Sequence, residues 1–188
     1  MVKVIAFTGA GISKSAGIPT FEEVEGLKDK LSVSFKNEHP KDFSEALRTL
    51  KESVEDKKPT KAHQALAEFS IPIITMNIDG LHQKAGSNLV YEIHGSTQND
   101  NIVLYGQDIH FKDEVINLII KTAEESKNHK EDSIFLVIGT SMQTTFALFL
   151  TWLAEERGMK VFYINENADE NVPKFLKENV FLYQNNEK

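Results

Sequence analysis

Short apolar runs in this chain each end abruptly in glycine or in a polar side chain, and this constrains the fold more than any other feature. Val2 to Phe7 closes on Thr8-Gly9, and Ile71 to Met76 runs into Asn77 and Asp79. Ser133 to Ile138 runs into Gly139-Thr140-Ser141. Leu89 to Ile93, ending in His94, and Lys160 to Ile164, ending in Asn165-Glu166, repeat the pattern. Runs of this length bounded by such punctuation read as buried strands. Helical segments separate them, and that alternation predicts an α/β fold: a Rossmann-like parallel sheet with helices on both faces. Open sheets of this kind collect ligands at the carboxyl ends of their strands.

The helices have their own signals. Ile12 to Ala16 opens one that Gly17-Ile18-Pro19 breaks, since proline restricts the residue before it. Glu22 to Lys58 is charged and carries no strand signal. Within it Phe43, Ala46, Leu47, Leu50 and Val54 share a helical face, with Asp42 and Glu45 placed as a capping box. Thr60 can cap the helix that holds Ala62, Ala65, Leu66 and Phe69, and Asp79 a short one that Gly86 ends. Val115, Leu118, Ile119 and Thr122 mark another, and Phe146 to Glu156 a further one. A short helix near Pro173 to Lys177 and a last strand, Val180 to Tyr183, are expected at the end. The reading is one domain over 1–188, with a reduced helical insertion at about 22–58.

Composition removes several classes. The chain has 188 residues, 21 basic and 28 acidic, for a net charge of −7. That argues against nucleic acid as a partner, because phosphate binding shows as a basic excess. The absence of cysteine excludes disulfides and thiolate zinc sites. Met1 to Phe7 is too short for a signal peptide, and no apolar run is long enough to span a bilayer. A cytoplasmic protein with no membrane partner is expected.

Gly9-Ala10-Gly11, between a strand and a helix, reads as a phosphate-binding turn where backbone N–H groups approach a pyrophosphate. It is not an ordinary dehydrogenase fingerprint. Lys14 stands where G-x-G-x-x-G would end, and no strand-ending acid follows about 20 residues on. Downstream, TMNIDGLHQKAG (Thr75 to Gly86) and EIHG (Glu92 to Gly95) put an amide, a carboxylate and an imidazole at strand tips. Such a set can orient a ribose and move a proton. Asp79 also reads as a helix cap, Met76 as core, and His63 as packing or capping. His82 is expected on the short helix after Asp79, and His39, His110 and His129 at the surface.

These segments, in this order, resemble the sirtuin family of NAD-dependent protein deacylases. GAGIS-x-x-x-GIP fits Gly9 to Pro19 without a gap, and TMNIDGLH is similar to the family's TQNIDGLH. The resemblance implies NAD as cofactor, held by Gly9, Ala10, Gly11, Ile12, Pro19, Phe21, Asn77, Ile78, Asp79, Gly139, Thr140, Ser141, Asn165 and Glu166. It implies His94 as general base, with Asn77 orienting the nicotinamide ribose and a water, and Asp79 contacting the nicotinamide amide. IVLYGQ (Ile102 to Gln107) resembles VVxFGE, whose extended backbone pairs with a substrate peptide. Val103, Tyr105 and Gly106 would then bind the acyl-lysine substrate. Departures stand beside the matches. Glu22 follows Phe21 where the family carries arginine, Met76 replaces glutamine, and Gln107 replaces the acid. Asn165 and Glu166 are adjacent where the family separates them. Only Ser96 to Asn101 fills the interval in which the family carries two Cys-x-x-Cys pairs, so no zinc module and no metal are expected.

The implied reaction is removal of an acyl group from protein lysine. The acyl oxygen attacks the nicotinamide ribose carbon, nicotinamide leaves, and His94 takes a proton from a ribose hydroxyl. Water then gives free lysine and O-acyl-ADP-ribose. Two other classes stay open: an NAD hydrolase or ADP-ribosyltransferase, and a binding module for NAD or ADP-ribose without turnover. No Tyr-x-x-Arg pair follows Gly26-Leu27, so a desuccinylase preference has no support.

Overall fold

The computed structural model of the chain describes residues 2–19, 23, 26–99 and 101–181. Strand β1 is Lys3–Thr8, and a 3-10 turn, Ala10–Ala16, follows it. Helices α1 (Leu27–Lys30), α2 (Val33–Glu38), α3 (Pro40–Glu55) and α4 (Lys61–Glu68) come next. Then come β2 (Ile73–Thr75), α5 (Leu81–Lys84), β3 (Val90–Glu92), α6 (Lys112–His129) and β4 (Ser133–Ile138). The described chain closes with α7 (Thr145–Glu156), β5 (Lys160–Ile164), α8 (Ala168–Leu176) and a π-helical turn, Lys177–Phe181.

The strands form one parallel sheet in the order β3-β2-β1-β4-β5. Strand alternation divides the core in two. Val4, Ala6, Ile73, Leu136 and Ile138 pack on one face with Ala62 and Leu66 of α4 and Val172 and Leu176 of α8. Ile5, Phe7, Ile74, Phe135 and Val137 pack on the other with Val115 and Ile119 of α6 and Leu150 and Ala154 of α7. A smaller core of Leu31, Phe43 and Leu104 holds α1–α3 beside the sheet. No described helix is long and apolar enough to cross a membrane.

Some boundaries differ from the sequence reading. Asp42 and Glu45 form no capping box: α3 begins at Pro40, with His39 before it making no side-chain cap. Proline is pre-set for a first helical turn, so the helix starts earlier than the polar spacing implies. The last helix begins at Ala168 rather than near Pro173, because Val172 and Leu176 must both reach the core. The expected strand Val180 to Tyr183 does not form at its start. Val180 and Phe181 lie in the π-helical turn, with Val180 in the core, and 182–183 fall outside the described residues.

β1 is flanked by β2 and β4, so the sheet's connections change direction between β1 and β4. The turns leaving those two strands meet there. Gly9 N donates to Ile138 O at 2.9 Å and Gly11 N to Gly139 O at 2.8 Å. A Cβ on Gly139 would sit 2.4 Å from Ile12 N, and its φ of 61° is a left-handed conformation. We expect Gly139→Ala to lower the urea-unfolding free energy by about 2 kcal/mol or more through strain and contact together. Gly86, with a φ of 92° but open space around a Cβ, isolates the backbone component; Gly86→Ala should cost about 1 kcal/mol.

Candidate functional site

The meeting of the two turns opens a cavity of about 550 Å³ over the strand tips. Gly9, Ala10 and Gly11 line it next to Gly139, Thr140, Ser141 and Asn165. Asn77, Ile78 and His94 line it too, and Val103, Tyr105 and Gly106 form the outer side. Two further cavities adjoin it. One of about 600 Å³ shares Ala10, Asn77 and Ile78 and adds Ser13, Pro19 and Asp79 beneath the α1–α3 helices. The other, about 620 Å³, shares Gly11, Lys14 and Asn165 and adds Glu166.

The tertiary structure thus brings together nearly all the residues the sequence singles out. Ile12 is the exception: it is 1% exposed, packs in the core and lines none of these cavities. Phe21 and Glu22 lie outside the described residues. The glycine turn also differs from expectation. Gly9 N and Gly11 N are bonded to Ile138 O and Gly139 O and stitch the two turns together, and Ile12 N bonds back to Gly9 O within its own turn, which leaves Ala10 N as the amide of this run that donates to no backbone carbonyl.

Asn77 and Asp79 form a buried polar knot with Ser13, a residue for which the sequence reading assigned no role. Ser13 Oγ donates to Asp79 Oδ2 at 2.7 Å, and Asn77 Nδ2 donates to Ser13 Oγ at 3.1 Å. Asp79 Oδ1 accepts from Leu81 N at 2.9 Å, so the helix-cap role holds together with the site role. The signal for Ser13 was its place in the GAGIS run. Met76 packs against the core as expected and also lines the main cavity.

His94 is half-buried, with Nδ1 3.2 Å from the carbonyl of Met76. A carbonyl can only accept, so Nδ1 carries the proton and Nε2 keeps its lone pair. Burial lowers the His94 pKa, partly offset by that hydrogen bond. The ring is therefore neutral near pH 7, as a base must be. Its backbone carbonyl accepts from Val103 N at 2.9 Å, and Gly95 N donates to Glu92 O at 2.9 Å. Those bonds close the loop between His94 and the outer wall of the cavity.

Comparisons with known proteins point one way. The sequence signature described as the Sir2 family matches residues 9–107. An NAD-dependent protein deacetylase of Thermodesulfovibrio yellowstonii is 32% identical over 201 residues, covering 86% of this chain and 78% of that protein. One from Halalkalibacterium halodurans is 30% identical over 197 residues, covering 88% and 83%. Similarity to the Saccharolobus solfataricus enzyme of the same name is 43% over 110 residues, covering 53% of this chain and 44% of that protein. The chain thus spans less than half of that relative's length. Among solved structures, a Sir2 homologue bound to ADP-ribose superposes with a TM-score of 0.80 at 22% identity, covering 99% of this chain and 94% of that one. A Sir2 homologue bound to NAD gives 0.77 at 22% identity, covering 94% and 88%. At that identity the superpositions establish the fold.

Two more histidines lie under the cavity floor, His63 on α4 and His82 on α5, both essentially unexposed, with ring centroids 4.6 Å apart. Thr60 N donates to His63 Nδ1 at 3.3 Å, which leaves the proton on Nε2. Thr8 Oγ1 gives its hydrogen to Thr75 Oγ1 at 2.8 Å, so His82 Nε2, 2.9 Å from Thr8 Oγ1, is the donor there. Thr75 Oγ1 also accepts from Asn77 N at 3.0 Å, which ties the buried ring to the site. His63 Nε2 and His82 Nδ1 have no partner. Burial holds the His63 pKa at about 4 and pushes His82 well below its ordinary value, with His63 adding to the latter. Both are neutral in the folded state, whereas in the unfolded chain they take up protons below about pH 6.5. Stability from this pair is present above pH 6.5 and lost as pH falls toward 4. His63 alone should cost about 2 kcal/mol between pH 7 and pH 5. Urea midpoints across that range should show the loss, and His63→Gln should flatten the slope.

Proposed function

This chain belongs to the Sir2 family, and on that premise we propose that it removes acyl groups from protein lysine at the expense of NAD, releasing nicotinamide and O-acyl-ADP-ribose. The observation that carries this reading is the neutral His94 imidazole in one cavity with Asn77 and both glycine turns, Asn77 being tied to the Ser13–Asp79 pair of the adjoining cavity. The residues present fit a dinucleotide. The main cavity shares Ala10, Asn77 and Ile78 with one neighbour and Gly11, Lys14 and Asn165 with the other, so the three together offer an extended ligand adjoining room at the strand tips. NAD, when bound, supplies a ribose carbon whose bond to nicotinamide can break.

The chain's own groups then have distinct tasks. Asp79 retains acceptor capacity for an amide N–H, because a carboxylate oxygen accepts more than one hydrogen bond. Asn77 is held by Ser13 and by the Thr75 hydroxyl and borders the main cavity, where it would orient the ribose. His94 Nε2 takes a proton from a ribose hydroxyl. Thr140, Ser141 and Asn165 line the same cavity, and Asn165 Oδ1 holds Thr140 N at 3.2 Å. Val103, Tyr105 and Gly106 form the acyl-peptide side. We place this chemistry in the cytoplasm, which the composition fits.

A second reading, NAD cleavage without a peptide acceptor, is favoured by one feature of that peptide side. Tyr105 N donates to Leu31 O at 2.9 Å and Tyr105 O accepts from Val33 N at 3.1 Å. Leu104 N donates to Gln107 Oε1 at 2.8 Å, and Leu104 O accepts from Gln107 N at 3.0 Å. A peptide strand adding here would have to displace one of these partners.

Nicotinamide release from NAD, followed with and without an acetyl-lysine peptide, separates the two. Peptide-dependent release with deacetylated product supports deacylation, and peptide-independent release supports hydrolysis or transfer. His94→Ala should lower turnover roughly 100-fold or more. The lowered His94 pKa keeps its base form above about pH 6.5, so the acid limb of the rate profile should lie below that pH. An acid limb above pH 7, or full activity in His94→Ala, would remove His94 from this role.

A further inference from the structure

The main cavity is short of charged groups that can meet an anion. The amides of Gly9, Gly11 and Ile12 are committed to backbone carbonyls. Thr140 N is committed to Asn165 Oδ1 and Met142 N to Thr140 Oγ1. Among the described residues lining this cavity, Lys14 is the only lysine or arginine. It lies at the junction, since it also lines the neighbouring cavity, where Lys61 stands with Glu166, Asp169 and Glu170. Its main chain is fixed: Lys14 O accepts from Gly17 N at 2.9 Å at the end of the 3-10 turn. Its side chain is not buried. Nζ reaches Glu23 Oε1 at 2.9 Å, with the two side chains 60% and 46% exposed.

We propose that Lys14 is the cation that holds the diphosphate of the cofactor, and that Glu23 competes with the diphosphate for it. This rests on the reading that the cavity takes NAD. An ammonium on a flexible stem is a point-charge binder of phosphate and needs no fixed fork of donors. An exposed lysine–carboxylate pair is worth little, so it is readily exchanged for a more highly charged ligand. Glu23 therefore keeps Lys14 neutralised in an acidic protein until a diphosphate takes its place.

The test is calorimetric titration of the whole chain with ADP-ribose, which has the diphosphate, and with adenosine, which lacks it. Lys14→Met should weaken ADP-ribose binding about 10-fold or more, the usual scale for one hydrogen bond to a charged group. Adenosine binding should not change. Lys14→Arg should retain most of the affinity. Lys14→Gln serves as a second neutral variant, and unfolding curves confirm that each variant is folded. Glu23→Gln should tighten ADP-ribose severalfold at low salt, and the gain should fade as salt screens the competition. Wild-type affinity for ADP-ribose in both neutral variants would overturn the assignment of Lys14. An unchanged Glu23→Gln would overturn the competition. Failure of the wild-type chain to bind ADP-ribose at all would instead overturn the NAD reading beneath it.

Discussion

The close approach of two strand-ending turns is the contact on which the rest of this structure depends. Gly11 N meets Gly139 O at 2.8 Å, and Gly9 N meets Ile138 O at 2.9 Å. Side chains would hold these turns apart: a Cβ on Gly11 would lie 2.6 Å from Gly139 Cα. Because β1 and β4 are adjacent and parallel, both turns emerge at the same end of the sheet. Their contact forms the base of the crevice that an open parallel sheet leaves at its switch point. The glycines shape this crevice chiefly by allowing proximity. The amides of Gly9 and Gly11 are spent on holding the two turns together.

A second layer supports the first from below. His82, Thr8 and Thr75 run as a line of hydrogen bonds from a buried ring to the backbone of Asn77. Ser13 and Asp79 fix the Asn77 side chain from the other direction. The Asn77 end of the crevice is thus held by polar side chains on β1, β2, the 3-10 turn and α5, together with Asp79. Groups so held need little reorganisation when charge develops, which is how preorganised polar sites favour a transition state. The buried histidines lower stability in acid, so the same layer that orders the site makes the fold pH-sensitive.

The outer wall of the crevice is made differently. The chain passes from His94 to Val103 through a short loop closed by Val103 N on His94 O and by Ser96 N on Asn101 Oδ1 at 2.9 Å. The following segment pairs with Leu31 to Val33, so the α1–α3 helices and the crevice wall share a backbone bridge at Ser32 and Tyr105. Leu104 joins Leu31 and Phe43 in the same small core. The helical insertion is therefore coupled mechanically to the face where a peptide would dock.

Much of this was legible in the residues alone. The unbroken apolar runs Val4 to Phe7 and Ile134 to Ile138, buried on both faces, and the glycines or polar groups that stop each run, mark the sheet and the edge at which its strands end. Local chemistry decided those features, because apolar runs and glycine turns act over a few residues. The placing of His94 in one cavity with Asn77 was legible too, since each lies two residues beyond a strand and parallel strands bring such ends to one edge. What the sequence could not decide is everything that depends on which distant groups become neighbours. The commitment of the glycine amides, the His63–His82 contact, the hydroxyl line from Thr8 to Asn77 and the place of Lys14 at a cavity junction arise only when separate segments pack. Hydrogen-bond partners and burial are properties of the assembled neighbourhood, and the packing of α4, α5 and the 3-10 turn against β1 and β2 selects them.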